Sequence, residues 1–155
     1  MNRLAAKVGK RLKAAGAKLV TAESCTGGWA AQAVTAISGS SGWFDRAFVT
    51  YSNEAKREML GVKSATLKKH GAVSEQTARE MAKGALKRSR GTIAVAITGV
   101  AGPTGGSDTK PVGTVCFCWK TSKLERCETR RFKGNRESVR RQSVAHALKG
   151  VLERG

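Results

Sequence analysis

The sequence predicts an α/β protein in which helices cover a mostly parallel or mixed sheet. Three observations carry this. Helical and strand-like patterns alternate along the chain. Residues 92–98, Thr-Ile-Ala-Val-Ala-Ile-Thr, form a continuous apolar run rich in β-branched residues, as in a central strand buried on both faces. Two late strand patterns joined by the basic segment 120–123 read as an antiparallel hairpin, which makes the sheet mixed.

The elements follow in order. Leu4, Val8 and Leu12 form one stripe of a basic amphipathic helix that ends near Gly16. A first strand covers about 18–22 and a second helix runs to about residue 37. Ser38-Gly39-Ser40-Ser41-Gly42 is a loop by composition. Ala47–Tyr51 alternates as a strand does. Ser52 and Asn53 cap a short helix closed by Gly61, and another short helix ends at His70-Gly71. Ser74 caps the next helix, whose apolar face is Ala78, Met81, Ala82, Ala85 and Leu86. The central strand follows, then a glycine-rich loop over about 99–110. Strands over about 112–119 and 125–132 precede a last helix opened by Gly134-Asn135, with Val144, Leu148, Val151 and Leu152 turned inward.

A chain of 155 residues suits one compact domain spanning 1–155, and 40% hydrophobic residues is an ordinary content for a packed core. No apolar run approaches the ~18 residues of a membrane span. The first residues lack the apolar core of a signal peptide, so no membrane and a cytoplasmic location are expected. The four cysteines are Cys25, Cys116, Cys118 and Cys127. With no CxxC and two histidines, a zinc site is not expected, and reduced, mostly buried thiols are. The strongest oddity is a net charge of +18, from 29 Lys+Arg against 11 Asp+Glu. It fits nonspecific, electrostatic affinity for nucleic acid or other polyanions on a solvated basic surface. Aromatic residues for base stacking are few, at 5%.

Polar loops follow three of the strands. The first is Thr21-Ala22-Glu23-Ser24-Cys25-Thr26-Gly27-Gly28-Trp29, a strand-to-helix turn. It places Ser24 and Cys25 where helix amides are unpaired, which favours a nucleophile and an oxyanion; the same residues also fit a plain capped helix. Cys25 is a candidate nucleophile too, because a helix N-terminus lowers a thiol pKa. The second loop carries Tyr51, Ser52, Asn53 and Lys56. Lys56 is either a surface lysine or, if burial or nearby cations depress its pKa, a base. The third carries Thr98, Gly99, Gly102, Gly105 and Gly106; it is neither a Walker A sequence nor a GxGxxG, so glycine leaves it open whether this loop binds a ligand or is simply mobile. If the three strands are parallel, these loops converge at their carboxyl ends. Arg136 and Arg140 share a helix face, as an anion clamp or as solvated charge. His70 reads as part of a helix end, and a Ser-His triad finds no support.

Five ordered segments together are distinctive: 21–28 (TAESCTGG), 48–56 (FVTYSNEAK), 70–75 (HGAVSE), 98–103 (TGVAGP) and 110–115 (KPVGTV). Nearly end to end, the chain resembles the CinA C-terminal domain family, whose stand-alone members are bacterial nicotinamide-nucleotide amidases. The resemblance implies a three-layer α/β/α fold and hydrolysis of the carboxamide of nicotinamide mononucleotide, to nicotinate mononucleotide and ammonia, without metal or cofactor. It places the family's serine nucleophile on Ser24 and its lysine base on Lys56. Tyr51 matches an assisting tyrosine, Ser41 a serine of a Gly-Ser-Ser loop, Thr98 the opening of the Gly-rich loop, and Arg136 an arginine after a Gly-Asp turn that is Gly134-Asn135 here. Backbone amides of Cys25, Thr26 and Gly27, or of the loop through Gly99 and Gly102, would receive the oxyanion, and Arg136 or Arg140 the phosphate. Relatives imply a homodimer or larger homo-oligomer. The competing readings are a basic nucleic-acid-binding protein, an amidase of a different substrate, and an inactive regulatory domain.

Overall fold

A computed structural model describes residues 1–155. The elements are α1 (Asn2–Ala15), β1 (Leu19–Glu23), α2 (Trp29–Thr35), a 3-10 turn (Ser40–Gly42), β2 (Phe44–Val49), α3 (Asn53–Leu60), α4 (Ser64–His70), α5 (Glu75–Lys87), β3 (Ile93–Gly99), β4 (Thr114–Lys120), β5 (Glu125–Arg131) and α6 (Arg136–Arg154). The five strands lie in the order β2-β1-β3-β4-β5. β1 is parallel to both β2 and β3, while β4 and β5 run antiparallel to their neighbours. The architecture is therefore α/β with a mixed sheet between two helical layers.

Side-chain alternation divides β3 between two cores. Ile93, Val95 and Ile97 join Leu19, Phe117 and Trp119 under α1, α2 and α6. Ala94 and Ala96 join Val20, Ala22 and Cys118 under α5, with Leu60 of α3. Small residues set how closely the layers approach. A Cβ on Gly150 would lie 2.1 Å from the Trp119 ring, and a Cβ on Gly84 would lie 1.9 Å from the Leu60 carbonyl oxygen. The second contact lets α5 press against the end of α3, the helix that carries Lys56.

The expected caps are present. Ser52, Ser74 and Asn135 accept from Ala55 N, Thr77 N and Ser138 N respectively. Gly16 and Gly61 close α1 and α3 with left-handed backbones. The second strand differs from expectation. β2 starts at Phe44 and ends at Val49, so Thr50 and Tyr51 lie in the loop beyond it. Parallel pairing with β1 stops at Glu23 and Val49, which frees the next two carbonyls to turn towards α3.

The cysteines also differ. Cys25 and Cys116 are free and buried, whereas Cys118 and Cys127 are joined in a disulfide. The expectation of four reduced thiols is corrected here. The two bonded cysteines are directly opposed in the β4–β5 register, with Cα atoms 4.0 Å apart. That register is invisible in the spacing of the sequence. β5 itself forms one border of the sheet and carries Glu125, Arg126, Glu128, Arg130 and Arg131. No helix is long and apolar enough to cross a membrane.

Candidate active site

The parallel strands β1, β2 and β3 end side by side, and their three loops meet there. Ser24 follows β1 directly, and its amide donates to Ile97 O of β3 at 2.9 Å. Thr50 follows β2, and its amide donates to Glu23 O at 2.9 Å. The Ser24 backbone is thus fixed between the ends of two strands. A pocket of about 280 Å³ opens over it, lined by Ser24, Cys25, Tyr51, Lys56, Ala72, Val73, Thr98, Gly99, Ala101 and Arg136.

Lys56 is the decisive side chain. It lies in the first half of α3 and is 1% exposed. Its Nζ is 3.0 Å from Ser24 Oγ, 2.9 Å from Thr50 O and 3.2 Å from Tyr51 O. No carboxylate forms an ion pair with it. Burial pushes its pKa below the usual lysine range, and the neighbouring Cys25 opposes this. Desolvation, not the cations that crowd the sequence, is therefore what lowers the pKa of this amine. A neutral amine has two hydrogens. With both given to the two carbonyls, its lone pair faces the Ser24 hydroxyl.

Other predicted residues fall differently. Tyr51 meets Lys56 through its carbonyl only. Its phenol is turned outward, 64% exposed, and accepts a hydrogen bond from Arg136 Nη2 at 3.3 Å. Arg136 also donates to Gly102 O at 2.8 Å, so one guanidinium bridges the second and third loops at the pocket mouth. Asn135, which stands where an aspartate was expected, caps α6 and is not needed to hold Arg136. Thr98 Oγ1 donates to Ala72 O at 2.8 Å, pinning the segment before α5 to the pocket wall.

Cys25 is not an activated nucleophile. It is buried, and desolvation pushes its thiol up to about 12 against the pull of its own backbone bond and Arg140. Ser24 and Cys25 are also not at the amide end of a helix, because α2 starts only at Trp29. The amides of Ala30 and Ala31 are taken by the Glu23 carboxylate at 2.9 and 3.0 Å. The Gly27 amide is likewise occupied, by Ser24 O at 3.0 Å, whereas those of Cys25 and Thr26 donate to no other residue's backbone.

Arg140 does not line the pocket. Its Nε and Nη2 donate to Cys25 O and Thr26 O at 3.0 and 3.1 Å, so a clamp made of Arg136 and Arg140 together does not form. Ser41 lies in the turn that leads into β2 and is therefore at the opposite end of the parallel strands from Ser24. Neither histidine lines the pocket; His146 pairs with Glu128 beneath the Phe117, Trp119 and Phe132 rings. Sequence reasoning missed Glu23 and Thr50. The Glu in TAESCT was a visible signal, but its partners become apparent only once the turn folds back over it.

A family model described as the CinA C-terminal domain matches residues 1–154. The chain belongs to the CinA C-terminal domain family. Among CinA-type relatives, the nicotinamide-nucleotide amidohydrolase PncC of Escherichia coli strain K12 is 57% identical over 151 residues, 97% of this chain and 92% of that protein. The protein of the same name from Pseudomonas putida is 47% identical, over 98% of this chain and 95% of its own length. The crystal structure of the competence/damage inducible protein CihA from Agrobacterium tumefaciens superposes with a TM-score of 0.96 at 47% identity, covering 98% of this chain and 93% of that one. A CinA superfamily protein from Escherichia coli superposes with a TM-score of 0.96 at 38% identity, over 99% and 90% of the two chains.

Proposed function

We propose that this protein is a nicotinamide-nucleotide amidase that hydrolyses the carboxamide of nicotinamide mononucleotide to nicotinate mononucleotide and ammonia. The observation that carries the reading is the buried Lys56 amine, 3.0 Å from Ser24 Oγ, in the wall of a pocket of about 280 Å³. The relatives named for this activity align over nearly the whole chain, which supports the choice of substrate.

Neutral Lys56 takes the Ser24 proton as Oγ attacks the carboxamide carbon. The amide of Cys25, a pocket-lining residue, would receive the developing oxyanion, and a donor of this kind contributes about 3 kcal/mol. Lys56, now an ammonium, returns the proton to the departing nitrogen, which leaves as ammonia. A water then attacks the acyl-enzyme and gives one proton to Lys56, which passes it to Ser24 Oγ as the ester C–O bond breaks; the acid product releases its remaining proton to solvent and leaves as the carboxylate. The backbone carbonyls of Thr50 and Tyr51 hold the amine in place in both protonation states. Arg136, which lines the pocket, would meet the 5′-phosphate.

The test is ammonia release from nicotinamide mononucleotide by the purified, chelator-treated protein, beside Ser24→Ala and Lys56→Ala. Turnover by the wild type that both variants lose supports the reading. Near-normal turnover by Ser24→Ala overturns the mechanism, and an inert wild type overturns the substrate.

A further inference from the structure

We propose that Glu23 and Arg140 are positioning residues for the reaction at Ser24, gripping the nucleophile turn from opposite sides; the inference rests on the amidase reading above. Glu23 closes β1 and is fully buried. Its Oε1 accepts from Thr26 Oγ1 at 2.7 Å and from Ala30 N at 2.9 Å. Its Oε2 accepts from Ala31 N at 3.0 Å and from Thr21 Oγ1 at 3.2 Å. One carboxylate thus ties the strand before Ser24, the turn after it and the first turn of α2 into one unit. The backbone of Glu23 reaches the other half of the dyad, because its carbonyl accepts from the amide of Thr50. Thr50 in turn presents its own carbonyl to Lys56.

Arg140 grips the far side of the same turn. Its guanidinium lies over the Trp29 ring, 5.4 Å from the centroid, with two donors committed to Cys25 O and Thr26 O. These bonds fix the carbonyls of the two residues that directly follow Ser24. The two residues therefore serve different ends. The carboxylate fixes where Ser24 sits and satisfies the α2 amides, so that they do not compete for the oxyanion. The guanidinium fixes the carbonyls of Cys25 and Thr26, and with them the path of the turn after Ser24. Neither side chain touches substrate in this scheme, and both act through the turn.

The experiment compares Glu23→Gln, Arg140→Ala and Arg140→Lys with the wild type. It measures kcat and KM for nicotinamide mononucleotide, the rate of Ser24 labelling by a fluorophosphonate, and the melting temperature. Glutamine keeps the shape of Glu23 but offers one acceptor oxygen in place of two. We expect kcat to fall about tenfold or more in Glu23→Gln and Arg140→Ala at temperatures where both are folded, with KM within about twofold. Labelling of Ser24 slows in parallel, and millimolar guanidinium restores part of the Arg140→Ala loss. A purely structural role would lower the melting temperature and leave kcat and labelling of the folded protein at wild-type values; that result overturns the proposal. A loss confined to KM in Arg140→Ala overturns it too, by making Arg140 a substrate contact. If Glu23→Gln does not fold, the two Arg140 variants and guanidinium rescue decide. If the wild type does not hydrolyse nicotinamide mononucleotide yet labels at Ser24, the amidase reading fails and the labelling rates decide the positioning roles alone. A wild type that does not label overturns the proposal.

Discussion

Lys56 Nζ stands 3.0 Å from Ser24 Oγ across 32 residues of sequence. Three local devices produce this distance. Ser52 starts α3 with a capping bond, Gly61 ends it, and the bare face of Gly84 lets α5 pack closely against the end of α3. The lysine then has one place to go, under the carbonyls of Thr50 and Tyr51. The chemistry follows from its burial, since an amine without solvent or a carboxylate partner favours its neutral form.

Activity should depend on the neutral form of Lys56. kcat/KM is expected to rise with pH on an acid limb whose midpoint lies below the ~10.4 of a free lysine. The measurement is ammonia release at subsaturating substrate across the pH range. A limb at the free-lysine value would remove Lys56 as the base.

The same depressed pKa has a consequence for stability. Between the folded and unfolded pKa values of Lys56, the unfolded chain binds more protons, so stability rises with pH across that window. Below the folded value this contribution no longer varies. Lys56→Met should abolish that rise, read as the difference in urea midpoint between the two proteins from neutral pH to pH 10. Identical pH dependence in the two would contradict it.

Cys25 should be inert. With its thiol pushed up to about 12, the thiolate fraction at pH 8 is about one in ten thousand. Ellman's reagent is expected to leave Cys25 unmodified in the native protein and to modify it once urea unfolds the chain. Cys25→Ala should retain turnover within about threefold of the wild type, because the thiol supplies no step.

Arg136→Ala should weaken binding of the phosphate end of the substrate. A lost charge-assisted bond of about 1.5–3 kcal/mol corresponds to a rise in KM of roughly 10- to 100-fold. The check is a parallel assay on nicotinamide riboside, which lacks the phosphate and should show little change. An equal loss on both substrates would mean that Arg136 acts by holding Gly102 and Tyr51 in place.

Gly84→Ala should destabilise the fold by about 1–3 kcal/mol or more, since a methyl group has no space 1.9 Å from the Leu60 carbonyl oxygen. The loss should reach the site as well, by displacing α3 and with it Lys56. Denaturant unfolding and kcat of the folded fraction measure the two effects separately.

What could be read from the sequence was whatever depends on neighbours in the chain. The caps at Ser52 and Ser74, the stop at Gly61 and the two-sided apolar run of β3 are local patterns with local causes. The convergence of the Ser24, Lys56 and Thr98 loops followed from parallel strands. The register and return of distant segments were not legible. Cys118 and Cys127 pair because the antiparallel register of β4 and β5 sets them opposite each other. Arg140 reaches Cys25 and Thr26 from a helix more than a hundred residues on, leaving Arg136 alone at the pocket mouth. Of the four groups that Glu23 accepts from, two are the backbone amides of Ala30 and Ala31, which carry no side-chain signal.

The charges along β5 reach beyond this chain's own fold. A sheet border normally offers its free amides and carbonyls to any passing strand. A border carrying five charges in the seven residues Glu125–Arg131 is a poor template for templated cross-β growth. Copies of this protein at high concentration should therefore stay dispersed along that side. Edge-to-edge pairing through β5 is the contact that these charges disfavour.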